Sequence, residues 1–222
     1  MPQVFTGLFT EGSTDISFLE GIVQKALQSI AFECSGQIDI YVSSISINRS
    51  ELSFVEQVIE ASKKGVADFG IQIICVHTDA DAQTSSNAYQ NKINVAQESL
   101  STLNPDDYCL VMAAIVPIQE TEAWMLADKE LLKRVIGTTK SDEELEINRN
   151  PEQIARPKEV IENAIRIARV DLTRRRRGEL TISDLYSPLG QSIDIEKLRQ
   201  LESFRDFENN VRQAFRSLNL LH

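Results

Sequence analysis

The alternation of short apolar runs with amphipathic stretches is what most narrows the folds open to this chain. Residues 3–9, 38–43, 70–75 and 108–116 are compact apolar segments rich in β-branched residues, the pattern of strands buried on both faces. Between the first two, Ile16, Leu19, Ile22, Val23, Ala26, Leu27 and Ile30 recur at helical spacing. Over residues 51–66 the positions Leu52, Val55, Val58, Ile59 and Ser62 do the same, and residues 88–103 read as a third helix. The order β-α-β-α-β-α-β predicts a four-stranded, mainly parallel sheet with helices on both faces and right-handed crossovers.

The acids sit where strands run out. The run 70–75 continues into Val76-His77-Thr78-Asp79-Ala80-Asp81. Two aspartates separated by one residue point to one spot if the backbone stays extended, and paired carboxylates need a counterion. Mg²⁺ (or Mn²⁺) is the cation suited to carboxylate oxygens together with water and phosphate. The first strand likewise ends in Thr10-Glu11-Gly12-Ser13-Thr14-Asp15. Glu11 falls at the strand end, and Asp15 falls in the first turn of the next helix, where its charge suits the helix dipole. Carboxyl ends of parallel strands are where α/β sheets keep their sites.

Past Pro117, residues 118–128 read as a helix in which Glu120 and Glu122 are about 200° apart, so that at most one faces the site. Trp124, the single tryptophan, reads as a packing anchor, and His77 as a structural histidine. Residues 138–150 are acidic without apolar period and read as a linker or flap. A helix over 151–170 is interrupted or restarted at Pro157, and residues 194–218 form one or two amphipathic helices with Leu198, Leu201, Phe204, Phe207, Val211 and Phe215 as the packing face. The run Arg174, Arg175, Arg176, Arg177 is either a solvated charge cluster or a phosphate clamp for nucleic acid, since guanidinium forks match phosphate oxygens.

Charge separates the two parts of the chain. Residues 1–150 hold 10 Lys and Arg against 22 Asp and Glu, whereas residues 151–222 hold 13 against 11. A polyanion therefore meets the second part, or approaches the first through bound cations. No apolar run is long enough to cross a bilayer and the N-terminus lacks the layout of a signal peptide, so a cytoplasmic protein without a membrane partner is expected. Cys34, Cys75 and Cys109 are odd in number and far apart, which fits core residues of a reducing compartment.

The glutamate ending the first strand, the Asp79-Ala80-Asp81 pair ending a later one, and the βα units between them resemble the TOPRIM domain of topoisomerases, primases and OLD-type nucleases. The stretches from Glu122 to Asp128, from Asn150 to Lys158 and from Ser203 to Phe207 look like the TOPRIM-like domain-of-unknown-function family 4276. That resemblance implies a TOPRIM-like, Rossmann-like α/β domain over 1–128 and a mainly helical C-terminal region over 129–222. It also implies a metal-dependent nuclease acting on DNA or RNA, with an ATPase partner in a bacterial or archaeal phage-defence setting. Under it Glu11, Asp79 and Asp81 are catalytic and metal-binding, Asp15 and Glu122 complete the metal site, and Lys158 is the candidate for the lysine such nucleases place beyond the paired acids. No Gly-x-x-x-x-Gly-Lys-Ser/Thr element is present, so ATP hydrolysis would belong to the partner. A non-catalytic module binding nucleic acid or an ATPase, with a vestigial or regulatory metal site, is the alternative. A haloacid-dehalogenase-type phosphatase would place its aspartate pair after the first strand, not after the third.

Overall fold

The computed structural model describes residues 2–170 and 180–222. Four strands, β1 (Gln3–Phe9), β2 (Asp39–Ser44), β3 (Ile73–His77) and β4 (Met112–Ile115), form one sheet in the order β2-β1-β3-β4. All three pairings are parallel, with Thr6 opposite Ile73 and His77 opposite Ile115. The chain is thus α/β with a parallel four-stranded sheet flanked by helices, and β1 and β3, the strands that lead into the acids, lie side by side.

The period-2 alternation of the strands divides the core into two layers. Val4, Leu8, Ile73, Cys75, Ala113 and Ile115 face a large layer built on α1 (Ser13–Ala31). Phe9, Ile74, Val76 and Ala114 face a smaller one with Val58 and Ala61 of α2 (Phe54–Phe69). Between β3 and β4 one helical path runs through α3 (Ser86–Ala88), a π-helical turn Tyr89–Ile93 and α4 (Asn94–Ser101). Ala96 and Leu100 of α4 complete the smaller layer. The caps are local. Ser53 and Glu56 form a reciprocal capping box on α2, and Gly70, at φ 61°, ends that helix in the left-handed region.

The remaining helices are α5 (Glu122–Met125), α6 (Lys129–Ile136), α7 (Pro157–Ala168), α8 (Tyr186–Ser192), α9 (Ile195–Leu198) and α10 (Glu202–Ser217). They join the layer over α1 instead of forming a separate core. Trp124 is fully buried, stacks edge-on to Phe204 at 5.1 Å and donates its indole N–H to Ser203 Oγ at 2.8 Å. The helix α8 crosses α1 so closely that a Cβ on Gly190 would lie 2.2 Å from the Phe18 carbonyl oxygen. Among the described residues no helix is long and apolar enough to cross a membrane.

Of three local expectations, one is resolved and two change. Pro157 opens α7 at its first position, where a missing N–H costs nothing. The stretch 138–150 is no flap, because Leu145 and Ile147 are wholly buried in the larger layer and Asp142 pairs with Lys133 at 2.8 Å. The helix expected over 118–128 shrinks to the single turn Glu122–Met125, because Gln119 takes φ 66° and bonds across to the loop after β3.

Candidate active site

The sheet's carboxyl edge is shaped by two loops clamped together. Beyond β3 the backbone N–H groups of Thr78, Ala80 and Asp81 donate to Ile115, Pro117 and Gln119, and the Gln119 N–H returns a bond to Ala82. The ladder thus outlasts the strands, and Asp81 turns into the left-handed region at φ 50°, a conformation that aspartate tolerates better than most residues. The extended backbone expected through Asp79-Ala80-Asp81 is therefore broken. Asp79 is half-buried and faces the protein, while Asp81 is exposed.

Asp79 is the hub. Its Oδ1 accepts from the Thr121 backbone N–H at 2.8 Å and from Thr121 Oγ1 at 3.1 Å, and lies 3.3 Å from His77 Nε2. Thr121 Oγ1 is in turn 2.9 Å from His77 Nε2. With the Thr121 hydroxyl donating to Asp79, the network is satisfied by a proton on Nε2. His77 Nδ1 is buried without a hydrogen-bond partner, 3.9 Å from Asp15 Oδ2. Burial alone pushes the imidazole pKa down, but the bond to Asp79 and the charges of Asp79, Asp15 and Glu11 outweigh it, and the net shift is upward.

Glu11 reaches the same edge from β1. Its Oε2 accepts from the Thr78 hydroxyl at 2.5 Å, across 67 residues of sequence, and from Lys92 Nζ at 3.3 Å. Lys92 also donates to Thr78 Oγ1 at 2.8 Å. Arg49, in the loop after β2, holds the backbone on which Glu11 sits, donating to the carbonyls of Thr10 and Glu11 and lying over the Phe9 ring. Asp15 accepts from the Gly12 N–H at 3.0 Å, fixing the turn between Glu11 and α1. It is buried, and its carboxyl pKa is raised by that burial and by Asp79, against the opposing influence of His77.

The outer members of the predicted set lie around this centre. Asp81 is raised by burial and by Asp79 and Glu11, against Lys92. Glu122 is buried and its Oε1 accepts a short hydrogen bond from Tyr186 Oη of α8. Burial and this bond push the Tyr186 hydroxyl pKa far above its ordinary range. Glu120 does not point away as a helical spacing required. Its carboxyl is raised by burial and then by Glu122 and Asp79, so both glutamates border the site. Lys158 lies in the first turn of α7, exposed, with its backbone and its ammonium acting on Glu120 and not on Glu11 or Asp81. Arg174, Arg175, Arg176 and Arg177 lie outside the described residues.

Sequence reasoning missed Thr78, Lys92, Thr121 and Tyr186. Lys92 alone left a trace: it is the sole Lys or Arg between Lys64 and Lys129, in a stretch with nine Asp and Glu.

Does a divalent cation suit these residues? Glu11 and Asp79 each engage these bonds through one oxygen, which leaves the second outside them. Carboxylates crowded enough to raise one another are the donors a hard cation favours. The donor chemistry fits Mg²⁺ or Mn²⁺. The spacing is not closed around an ion: among the described residues no three His, Cys, Asp or Glu side chains are set to hold a metal as they stand.

The model of one protein family, a domain of unknown function (DUF4276), matches residues 10–212, which include every site residue named above. No curated protein and no solved structure matches the chain.

Proposed function

The chain belongs to the DUF4276 family, and from that membership and the geometry of the acidic edge we propose that it is a TOPRIM-type, Mg²⁺- or Mn²⁺-dependent nuclease hydrolysing phosphodiesters of DNA or RNA. An ATPase partner in a bacterial or archaeal defence setting completes this reading. The observation that carries it is the direct link from Glu11 through Thr78 to the Asp79 loop, which brings acids distant in sequence to one edge of adjacent parallel strands.

When bound, the cation supplies an activated water and stabilises charge on the phosphoryl group and leaving oxygen. The chain's own part is positioning. Thr121 and His77 fix one oxygen of Asp79 and leave the other outside these bonds, and Thr78 does the same for Glu11. Arg49 holds the turn carrying Glu11 in place. Asp15 and Asp81 complete the negative field, and Lys92 brings positive charge to the edge where a phosphate must enter. Glu122, tied to Tyr186, supports the frame.

The test is incubation of the pure protein with single- and double-stranded DNA and RNA, with Mg²⁺ or Mn²⁺ and then with EDTA. Cleavage abolished by EDTA and lowered roughly 100-fold or more by Asp79→Asn supports the reading. The open spacing of the acids favours a second reading, a non-catalytic module that binds nucleic acid or an ATPase and keeps a regulatory metal site. Its mark is a stable complex with nucleic acid or a co-purifying ATPase and no cleavage under any of these conditions.

A further inference from the structure

Lys92 has four observations behind it. Its backbone lies in the π-helical turn Tyr89–Ile93, a local widening of the helix that is uncommon and tends to redirect a side chain. Its ammonium makes two contacts at the acidic edge, 2.8 Å to Thr78 Oγ1 and 3.3 Å to Glu11 Oε2. It also passes over the Phe54 ring at 5.6 Å, which steadies it from the side of α2. Finally, no other lysine or arginine occurs from residue 65 to residue 128, a stretch of sequence that holds nine Asp and Glu.

The contacts form a closed chain. Thr78 has one hydroxyl proton, and at 2.5 Å it is directed to Glu11, so the Thr78 oxygen is left to accept from Lys92. Lys92 then balances Glu11 both directly and through Thr78, and its charge reaches Asp81 as well. A divalent ion on Glu11 would stand within a few ångströms of this ammonium, and like charges at that range repel. The lysine side chain is 31% exposed and has a flexible four-carbon stem, so it has room to leave.

We infer that Lys92 is a built-in counter-cation that holds Glu11 in the metal-free protein, competes with the divalent ion for that carboxylate, and on displacement is released to meet the phosphate of the incoming strand. This rests on the metal-dependent reading above.

Mn²⁺ binding to the full chain, measured by titration calorimetry at fixed ionic strength, is the test. Lys92→Met keeps the stem without the charge, and its dissociation constant for Mn²⁺ falls roughly five- to tenfold, the effect of one partly screened charge. Lys92→Arg keeps the charge and stays within about twofold of the unsubstituted protein. Lys92→Gln replaces the methionine variant if that fails to fold by circular dichroism. Unchanged or weaker Mn²⁺ binding in the neutral variants overturns the inference. Cleavage with unaltered metal affinity defeats the lysine's role and leaves the nuclease standing. Tighter Mn²⁺ binding in the neutral variant of a protein that cleaves nothing does the reverse. No Mn²⁺ uptake by either form ends both.

Discussion

Removing the Tyr186 hydroxyl tests how the C-terminal helices are coupled to the acidic edge. Glu122 is 7% exposed and Tyr186 is 5% exposed, so water does not replace the bond between them. A hydrogen bond to a charged group contributes about 1.5–3 kcal/mol, and a buried acceptor left without its donor costs the full desolvation penalty. Tyr186→Phe keeps the ring packed and deletes only the donor, so a loss of about 2 kcal/mol is expected. For a chain of 222 residues that is a fall in Tm of roughly 4–8 °C. Urea denaturation gives the free energy directly. In a Glu122→Gln background the same substitution removes only a neutral bond, and its cost drops to about 1 kcal/mol. Because Glu122 is tied up by Tyr186 and supports the frame, Tyr186→Phe weakens Mn²⁺ binding far less than Asp79→Asn does. A Tyr186→Phe protein as stable as the unsubstituted one would refute the claim that this bond ties the frame together.

Other consequences follow from single contacts. Asp15 has a raised carboxyl pKa, so the folded chain holds its proton more tightly than the unfolded chain and loses stability as pH climbs from the ordinary aspartate value near 4 through the raised one. Asp15→Asn keeps an oxygen for the Gly12 N–H and removes the titration. Its stability relative to the unsubstituted protein therefore grows with pH over that window in metal-free urea melts, and a flat difference counts against the assignment. Gly190→Ala drives a methyl group into the Phe18 carbonyl and destabilises by about 2 kcal/mol or more, measured in the same way, with a neutral effect disproving the close crossing of α1 and α8. Thr121→Val leaves the backbone bond to Asp79 but strips the hydroxyl from both Asp79 and His77. It lowers stability by about 1 kcal/mol and cleavage by roughly tenfold, and unchanged turnover argues against a positioning role.

The strands were readable because a sheet covered on both faces demands short apolar β-branched runs, and each face takes alternate residues: Ile73 and Cys75 on one side, Ile74 and Val76 on the other. From there Glu11 and Asp79 could be placed at strand ends, and the pairing of β1 with β3 makes those ends neighbours. Tertiary bonds decided what the sequence hid. Nothing local in Ile118-Gln119-Glu120 signals that Gln119 adopts a left-handed conformation to reach Ala82, which places Thr121 on Asp79 and brings both glutamates to the site. Leu145 and Ile147 lack a helical period because they are held by a turn, yet they are fully buried. Tyr186 meets Glu122 across 64 residues through a helix whose position depends on the Gly21 and Gly190 contact with α1. Lys158 is the candidate lysine under the family resemblance, and it borders Glu120, while the ammonium on Glu11 belongs to Lys92, in the stretch 88–103 read simply as a helix.

Whether Glu11, Asp79 and Asp81 share a divalent ion is read from anomalous scattering by crystals soaked in Mn²⁺. A peak is expected among the carboxylates of Glu11, Asp79 and Asp81, with the Lys92 ammonium moved off Glu11. Fully soaked crystals with no peak among those three groups, or with manganese only at unrelated surface acids, would contradict it.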